Sequence, residues 1–353
     1  MVTPAESRNG MRRQPPPQAR TNDLRIGVIG CGRAADRLHL PALARLPGVK
    51  VTALADTDAS RLGAAGIKWR VDKLYPDYRL LVDQRSVDVV LIAVPAPLHH
   101  NVFHIAAGAG KHIYIEKPLA TNLDDADRMV ATAEQLSIGA AVGFNLRSHR
   151  LVRQARALVR EGKLGPILAV RTVWIGGRQE RPDWQRHRAE GGGALYELAV
   201  HHFDLWRFLF DTEVVCINTQ SPANGSDDAR VCVTAQLGNG VLACSVFALE
   251  GLAMHEVEVI GESASLRFSL YRADSLAIRP AGRVKQIVHW LQQLPEAVKA
   301  AQLGGDYLDS YRTHWLRFIE SIRGGESPAT LQDGRAALRV ALEVIECLNR
   351  EKL

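Results

Sequence analysis

The sequence predicts a two-domain α/β protein, in which a doubly wound parallel sheet is followed by an α+β domain with an open, mostly antiparallel sheet. The chain has 353 residues, which is enough for two domains of ordinary size. As far as residue 144, short apolar runs alternate with longer amphipathic ones. After residue 162 the short apolar runs follow one another with few helical segments between them. The first pattern is typical of parallel strands joined by helices, and the second of antiparallel strands.

Five buried strands and five helices are predicted in the first part of the chain. The predicted strands are Leu24–Ile29, Val49–Ala55, Val87–Val94, His112–Ile115 and Ile138–Val142. The predicted helices are Arg33–Leu46, Asp58–Gly66, Asp77–Asp83, His99–Gly108 and Leu123–Leu136. Asn122 is a suitable N-cap for the last of these helices, because its side chain can accept a backbone N–H. Since each connection contains a helix, the strands are expected to run parallel in one sheet.

Six strands dominate the prediction for the second part of the chain. They are Ile167–Trp174, Val214–Asn218, Arg230–Leu237, Val241–Leu249, Val257–Ile260 and Ser265–Leu270. Asn239-Gly240 favours a tight hairpin between two of them. The predicted helices are Ser148–Gly162, Ala194–Phe210, Tyr307–Ile322 and Leu331–Asn349. We therefore expect a tail over residues 1–22, a first domain over 23–147 and a second over 148–353, whose last helix can pack back on the first domain.

The positive charge of the chain is concentrated at its N-terminus. The formal net charge is +6, and residues 1–22 hold four arginines against one glutamate. Because this tail also has three consecutive prolines and few apolar residues, we expect it to be disordered. Arg12-Arg13 is not followed by the apolar stretch that a twin-arginine export signal needs. The rest of the chain is nearly balanced in charge, which argues against nucleic acid as a partner.

The composition argues against several further classes of protein. Apolar residues make up 46% of the chain and charged residues 23%, as in ordinary globular proteins. No apolar run approaches the roughly 20 residues that a membrane span needs. The five cysteines are scattered without a C-x-x-C pair, which argues against a zinc ribbon, a redox dithiol or a disulfide framework. We therefore expect a cytoplasmic protein with no membrane partner and no metal.

A glycine-rich turn after the first predicted strand indicates a dinucleotide-binding site. Gly30, Gly32 and Ala35 form a G-x-G-x-x-A pattern at the start of a helix. Gly30 allows the tight turn, Gly32 the close approach of a pyrophosphate, and Ala35 the packing of helix on strand. Arg33 and Ala34 lie in the same turn, where the N–H groups at the helix start are expected to face the phosphates. Because this pattern lies between the first strand of a predicted parallel sheet and a helix, it predicts a Rossmann dinucleotide-binding domain.

Asp56 ends the second predicted strand, at the position where an acid hydrogen-bonds the ribose hydroxyls of NAD. Because its carboxylate would repel a 2′-phosphate, the expected cofactor is NAD rather than NADP. A solvated carboxylate or a helix cap is the alternative, and Arg33 could bind a phosphate and weaken the preference. Val94, Pro95 and His99 follow the fourth strand and are expected to border the cofactor. For His99, an ordinary place at a helix start stays open.

Lys117 is a candidate catalytic residue in the segment that follows the fifth predicted strand. Pro118 keeps it out of the helical conformation, at the rim where the nicotinamide is expected. An ammonium group at this position can hold a substrate hydroxyl and stabilise a developing alkoxide. A strand-end lysine in solvent is the alternative.

The predicted helix Ala194–Phe210 carries a second group of candidates after a run of three glycines. At about 100° per residue, Glu197, His201 and Asp204 fall on one face, and His202 points away from it. A histidine with an acid one turn away is suited to act as a general base whose imidazolium is stabilised. A self-satisfied buried ion pair is the alternative, and divergent side chains argue against a metal site.

Together these motifs resemble the glucose–fructose oxidoreductase / inositol dehydrogenase / rhizopine-catabolism (Gfo/Idh/MocA) family over most of residues 24–350. The shared pattern also includes Ala-Gly-Lys-His-Ile-Tyr-Ile-Glu-Lys-Pro ending at Pro118, and Gly143-Phe-Asn-x-Arg147. The resemblance implies an NAD(P)-dependent oxidoreductase that acts on a ring hydroxyl or ketone of a sugar, nucleotide sugar or cyclitol. It also implies a homodimer or homotetramer formed through the second sheet.

The resemblance also implies roles for individual residues. Lys117 matches the family's catalytic lysine by position, and His201 its catalytic base or acid, with Glu197 expected to orient His201. Glu116 and Asn145 are expected to contact the cofactor. The candidate substrate contacts are Arg147, Trp184, His202 and Asp204.

Some features depart from the family pattern or leave alternatives open. The family commonly has Asp at the position of Glu197 and Gly at that of Ala199, which puts the substrate class in doubt. The arginine-rich segment 178–188 is either a lid that grips a phosphate or carboxylate, or a solvated basic loop. An NAD-retaining glycosidase and a non-catalytic dinucleotide sensor are the alternative functions.

Overall fold

The computed structural model describes residues 23–178, 180–222, 229–271, 276–279 and 305–350, together with residues 295 and 298. The predicted tail over residues 1–22 lies outside this described part. Within it, no helix is both long enough and apolar enough to cross a membrane. Two sheets and the helices packed on them make up the described structure.

The first sheet is parallel, as the alternation of strands and helices predicted. Its strands are β1 (Leu24–Ile29), β2 (Val49–Ala55), β3 (Leu74–Tyr75), β4 (Val89–Ile92), β5 (His112–Ile115) and β6 (Ala140–Val142), in the spatial order β3-β2-β1-β4-β5-β6. The strand order reverses between β1 and β4, and sheets of this type bind ligands at that point, outside the carboxyl ends of the strands. The sequence did not predict β3, because two residues are too few to show an apolar periodicity.

Short helices connect these strands. They are α1 (Leu40–Leu43), α2 (Ala59–Trp69), α3 (Tyr78–Val82), α4 (His99–Gly108) and α5 (Leu123–Gln135). The first predicted helix is divided, since a π-helical turn over Ala35–His39 precedes α1. Asn122 caps α5 as expected, because its Oδ1 accepts the backbone N–H of Asp125 at 2.8 Å.

After α6 (Arg150–Arg160) the chain forms a second, seven-stranded sheet. Its strands are β7 (Ile167–Gly177), β8 (Val214–Gln220), β9 (Arg230–Leu237), β10 (Leu242–Gly251), β11 (Met254–Gly261), β12 (Ser265–Ser269) and β13 (Ala277–Arg279), in the order β13-β12-β11-β7-β10-β9-β8. Of its described strand pairs, only β7 with β10 is parallel, so the sheet is mostly antiparallel as predicted. Asn239-Gly240 lies in the turn between β9 and β10.

The inner face of the second sheet packs on α7 (Val200–Phe210), which is buried along nearly its whole length. The Phe203 ring, for example, meets the ring of Phe247 from β10 with their centroids 6.2 Å apart. A second π-helical turn, over Leu195–Ala199, leads into α7. Single π-helical turns are often found at functional sites. Both of the π-helical turns found among the described residues lie beside the cleft described below.

The last two helices, α8 (Asp306–Ser321) and α9 (Leu331–Arg350), lie against the first sheet. Trp315 and Phe318 of α8 are buried in the same apolar core as the side chains of β1 and β4. α9 contacts α5 and β6 on one side and α7 on the other. α9 therefore joins the first sheet to the helix that supports the second.

Candidate functional site

A cleft of about 1200 Å³ lies between the two sheets, at the carboxyl ends of β1, β2, β4 and β5. The first sheet contributes Gly30, Asp56 and Lys117 to its lining, and the second part of the chain contributes Glu197 and His201. Small-molecule sites usually measure about 300 to 1000 Å³. The cleft is therefore large enough for a dinucleotide and a second, smaller molecule.

The glycine turn after β1 has the shape that a pyrophosphate needs. Gly30 has φ +91°, and a Cβ there would stand 2.4 Å from the carbonyl oxygen of Ala93. At Gly32 no atom lies within 4 Å of the Cβ position, and no side chain caps the helix start at Ala34. The backbone can therefore approach a phosphate closely, with N–H groups at the helix start available to it. Ala35, predicted as a packing residue, is fully buried.

Asp56 lines the cleft beyond β2 and is held rigidly. Its Oδ2 accepts the backbone N–H of Cys31 at 2.8 Å, and its Oδ1 accepts that of Asp58 at 2.9 Å. Arg61 Nη1 lies 3.3 Å from both carboxylate oxygens, a partner that the sequence did not reveal. Burial, together with the charge of Asp56, raises the pKa of the Cys31 thiol to about 12. Asp56 thus lies in the cleft at the carboxyl end of β2, with Arg61 beside it.

Glu116 also lines the cleft, and a buried chain of hydrogen bonds fixes its charge. Trp315 Nε1 lies 2.9 Å from His39 Nδ1, and His39 Nε2 lies 2.6 Å from Glu116 Oε1. An indole N–H can only donate, so His39 Nδ1 must accept it and the imidazole proton resides on Nε2. Burial would raise the pKa of Glu116, but the hydrogen bond from His39 and the charge of Lys117 lower it below its usual range. Glu116 is therefore an anion.

Lys117 reaches across the cleft to the turn that precedes α7. Its Nζ donates to the carbonyl oxygen of Glu197 at 3.1 Å and to that of Tyr196 at 3.4 Å, and it lies 3.9 Å from Glu197 Oε2. Its backbone N–H donates to Glu116 Oε2 at 3.2 Å, and the Lys117–Pro118 peptide bond is cis. The lysine is mostly buried rather than a solvated strand-end residue.

His99 lies beneath the cleft rather than in its lining. Its ring nitrogens lie 2.9 Å from the carbonyl oxygens of Val94 and Pro118, so it ties together the turns that follow β4 and β5. Val94 and Pro95 line the cleft, as the sequence predicted for residues bordering the cofactor. Asn145 is fully buried and donates to Ser310 Oγ at 2.7 Å. The expected cofactor contacts of His99 and Asn145 do not agree with these placements.

His201 lines the cleft, but Glu197 does not orient it as expected. Among the described residues no hydrogen bond joins them, and the nearest cation to the Glu197 carboxylate is Lys117. The reason is local: residues 195–199 form a π-helical turn, so the spacing of 100° per residue does not apply between Glu197 and His201. Burial, followed by the charge of Lys117, lowers the pKa of His201 well below its usual value. His201 is therefore neutral at pH 7.

Arg147 and Asp204, two of the candidate substrate contacts, instead form a buried ion pair. The two oxygens of Asp204 accept from Arg147 Nη2 at 2.6 Å and Nε at 2.8 Å. Asp333 of α9 binds Arg147 Nη1 and Arg207 Nη1 at 2.9 and 2.8 Å. Burial disfavours the charged form of Arg147, but these carboxylates offset it and raise the pKa of the guanidinium. The sequence placed Asp204 on the face of His201 because it could not show this partner from a different segment.

His202 is also turned away from the cleft. Its Nε2 lies 2.8 Å from Nε2 of His255 on β11, and both rings are fully buried. Burial lowers the pKa of His202 to about 3. The predicted substrate contact of His202 therefore does not agree with the structure. Trp184, the other candidate, does line the cleft.

Aromatic residues that the sequence did not single out form one wall of the cleft. They are Trp174, Tyr271, Tyr307 and Tyr311. Trp174 Nε1 donates to the hydroxyl oxygen of Tyr271 at 2.7 Å, and the rings of Tyr271 and Tyr307 meet with centroids 6.1 Å apart. These residues come from β7, the segment after β12, and α8, so no local motif could have grouped them.

Two family models match the chain. One describes an oxidoreductase family with an NAD-binding Rossmann fold and matches residues 24–144. The other describes the GFO/IDH/MocA C-terminal domain and matches residues 152–267. The two matched segments follow one another along the chain and together include both sheets' main strands.

Characterised relatives cover nearly the whole chain. A dTDP-3,4-didehydro-2,6-dideoxy-alpha-D-glucose 3-reductase of Actinomadura kijaniata is 32% identical, over 87% of this chain and 97% of its own length. A myo-inositol 2-dehydrogenase of Thermotoga maritima is 26% identical, over 93% of this chain and 97% of its own. The crystal structure of the WlbA dehydrogenase from Bordetella pertussis, in complex with NADH and UDP-GlcNAcA, has a TM-score of 0.80 at 20% identity, covering 94% of this chain and 97% of that one.

Proposed function

The chain belongs to the Gfo/Idh/MocA oxidoreductase family, and from that premise we propose that it transfers a hydride between NAD and a ring hydroxyl or ketone of a sugar, nucleotide sugar or cyclitol. One observation carries the proposal. Lys117, in the segment after β5, and His201, on α7, line the same cleft as the glycine turn and Asp56. An ammonium and a neutral imidazole thus share a site that fits a dinucleotide.

The residues of the first sheet would hold the cofactor. Gly30, Gly32, Arg33 and Ala34 would bind its pyrophosphate, and Asp56 its adenosine ribose, with NAD favoured over NADP. Val94, Pro95 and Glu116 would border the nicotinamide end. Bound NAD(H) supplies the hydride acceptor or donor at nicotinamide C4.

The catalytic roles follow from charge and burial. When the substrate is oxidised, His201 accepts the proton of its ring hydroxyl, which the neutral imidazole favoured by burial is ready to do. The Lys117 ammonium holds the same oxygen and stabilises the negative charge that develops on it. In the reducing direction His201 returns the proton. Glu197 acts on Lys117, which its carbonyl oxygen holds, rather than on His201.

Residues 23–147 would form the cofactor domain, and residues 148–353 the substrate and oligomerisation domain. The outer face of the second sheet supports a homodimer or homotetramer, because it exposes apolar side chains such as Leu242 and Val246, 57% and 38% accessible. All five cysteines are free, which suits the reducing cytoplasm that we propose as the compartment. Light scattering of the purified protein would give the oligomer number.

The proposed reaction is tested with the purified protein, NAD(H) and a panel of free sugars, cyclitols and nucleotide sugars. We expect a change in NADH absorbance with at least one of them. We expect Lys117→Met to lower kcat/KM by about 100- to 1000-fold, as removal of an oxyanion donor does. Lys111→Met is the matched control, since the Lys111 ammonium donates to the carbonyl oxygens of Gln84 and Val87, away from the cleft.

Two results would contradict the proposal. Full activity of both Lys117→Met and His201→Asn would show that neither residue has the catalytic role proposed for it. Cleavage of a glycosidic bond with no net change in NADH absorbance would identify an NAD-retaining glycosidase instead.

A further inference from the structure

We propose that the substrate of this enzyme carries an anionic group, a carboxylate or a phosphate, and that Arg181 binds it. The inference rests on the proposed oxidoreductase function, because it names the class of molecule that enters the same cleft. Arg181 lies in the arginine-rich segment before the three glycines, directly ahead of a short 3-10 helix over Asp183–Arg186. It lines the cleft in company with Trp184 and Tyr271.

Arg181 lacks the carboxylate partner that Arg147 and Arg150 have. Its Nη2 donates to the carbonyl oxygen of Leu249 at 2.9 Å, whereas its buried Nε makes no hydrogen bond to a residue that the structure describes. No described carboxylate lies within ion-pair distance of it, while Arg147 and Arg150 are each paired at 2.6 to 2.7 Å. A partly buried guanidinium with so few partners is costly unless a ligand supplies the opposite charge.

The backbone beneath Arg181 is shaped to hold this side chain. A Cβ at Gly176 of β7 would stand 2.7 Å from Arg181 Nη2 and 2.3 Å from the carbonyl oxygen of Leu249. Only glycine at position 176 therefore leaves room for the guanidinium to rest near the carboxyl ends of the interior strands β7 and β10. Because the anchor is a backbone carbonyl, it positions the group without neutralising its charge.

The electrostatic surroundings agree with an anion site. Burial lowers the pKa of Arg181; the charge of Glu197 opposes this, Arg33 acts with burial, and the charge of Glu250 opposes it further without restoring the usual pKa. A guanidinium nevertheless stays charged at neutral pH, so the cleft holds a positive charge that is poorly compensated. Arginine binds carboxylates and phosphates with two parallel hydrogen bonds, which makes either group a suitable ligand.

The placement of Arg181 assigns it to the substrate rather than to the cofactor phosphates. The proposed site of the cofactor phosphates is the glycine turn after β1, where the backbone leaves room for them. Arg181 instead rests on β7 and β10, on the side of the cleft that carries His201 and the aromatic wall. Aromatic rings such as those of Trp174 and Tyr271 can pack on the C–H face of a sugar ring, while Arg181 binds its charged substituent.

The test compares ligand pairs that differ in charge, with the enzyme loaded with NADH. Calorimetry would measure the binding of glucose against glucuronate, for a carboxylate, and of glucose against glucose 6-phosphate and UDP-glucose, for a phosphate. We expect at least one anionic ligand to bind about 10-fold or more tightly than its neutral partner. Arg181→Gln should weaken that binding by about 100-fold, and Arg181→Lys by less, because lysine keeps the charge.

Arg186→Gln is the matched control. Arg186 lies in the same segment but is exposed and paired with Glu250 at 3.1 Å, so this variant should bind the anionic ligand as the wild type does. NADH affinity and the melting temperature should be the same in all three variants. If Arg181→Gln and Arg186→Gln weakened binding of the anionic ligand equally, the affinity would depend only on the total charge of segment 178–188. That result would contradict a specific site at Arg181.

Other outcomes also overturn the proposal. These are equal binding of charged and neutral partners, loss of NADH affinity in Arg181→Gln, or no measurable binding of any anionic ligand. Each leaves the oxidoreductase function standing if a neutral cyclitol is still oxidised. Conversely, binding of an anionic sugar without hydride transfer would contradict the proposed reaction and leave the role of Arg181 intact.

Discussion

Lys117 Nζ donates a hydrogen bond to the backbone carbonyl oxygen of Glu197 at 3.1 Å. The ammonium that follows the fifth strand of the first sheet is thereby held against the turn that leads into the helix of His201. This contact spans 80 residues of sequence, and it brings the two candidate catalytic groups to one cleft. Because the anchor is a main-chain carbonyl, it does not depend on the side chain at position 197.

The first prediction follows from that anchor. Glu197→Gln removes an ion pair with a 3.9 Å separation but keeps the hydrogen bond from Lys117 to the main chain. We expect kcat to fall by less than about 10-fold, whereas His201→Asn should lower it by about 100-fold or more. Steady-state kinetics on the best substrate would measure both. Equal losses in the two variants would show that Glu197 does support His201.

A second prediction concerns the choice between NAD and NADP. Asp56→Ala removes the carboxylate that would repel a 2′-phosphate and frees Arg61, now 3.3 Å from that carboxylate, to bind it. We expect the ratio of NADP affinity to NAD affinity to rise by about 10- to 100-fold. Fluorescence titration with the reduced cofactors would measure it.

The double variant Asp56→Ala/Arg61→Ala is the control for this prediction. It should lose much of the gain in NADP affinity, because it lacks the Arg61 guanidinium that would bind the 2′-phosphate of NADP. If wild type already binds NADP more tightly than NAD, the assigned preference is wrong.

A third prediction separates stability from catalysis. Asp204→Asn leaves the buried guanidinium of Arg147 with one carboxylate instead of two, and we expect the free energy of unfolding to fall by about 3 kcal/mol. Asp211→Asn at the end of the same helix is the control. Asp211 is half-exposed, so that change should cost less than about 1 kcal/mol. Urea denaturation would measure both.

The same pair of variants tests whether Asp204 contacts substrate. Because its carboxylate is turned away from the cleft, KM at a temperature where Asp204→Asn is folded should match that of wild type. A large rise in KM without loss of stability would restore the substrate role expected from sequence.

A fourth prediction is that the protein loses stability in mild acid. Burial lowers the pKa of His201, His202, His255 and His314 below the value of 6.5 that histidine has in an unfolded chain. Below pH 6.5 the unfolded state therefore binds more protons than the folded state, so the free energy of unfolding falls as the pH falls. Each histidine lowers the free energy of unfolding by about 1.4 kcal/mol for each pH unit below that point.

Melting temperatures measured between pH 8 and pH 5 would check this prediction. We expect a plateau above about pH 7 and a steady decline below it. Asp333, whose pKa is lowered by Arg147 and Arg207 despite its burial, would affect stability only in stronger acid. A flat profile down to pH 5 would mean that these histidines have partners for their charged forms.

Much of the fold was accessible from local patterns. β1, β2, β5 and β9 have the predicted bounds, because alternation and apolar runs record which side chains are buried. The glycine turn was recognisable for a similar reason, since the conformation of Gly30 excludes other residues at that position. The two π-helical turns could not be recognised from the sequence, because a single wider helical turn leaves the apolar pattern almost unchanged.

The sequence by itself determined the two-sheet architecture, because backbone geometry and apolar periodicity act between near neighbours in the chain. Its motifs resembled the family, and they made Lys117 and His201 the candidate catalytic residues. Only the tertiary structure decided their partners: Glu197 with Lys117 instead of His201, Arg147 with Asp204 and Asp333, and His39 between Trp315 and Glu116. Hydrogen bonds and ion pairs act over a few ångströms in space and are indifferent to separation along the chain. How the segments pack therefore decides which polar groups line the cleft and which are paired with one another beneath it.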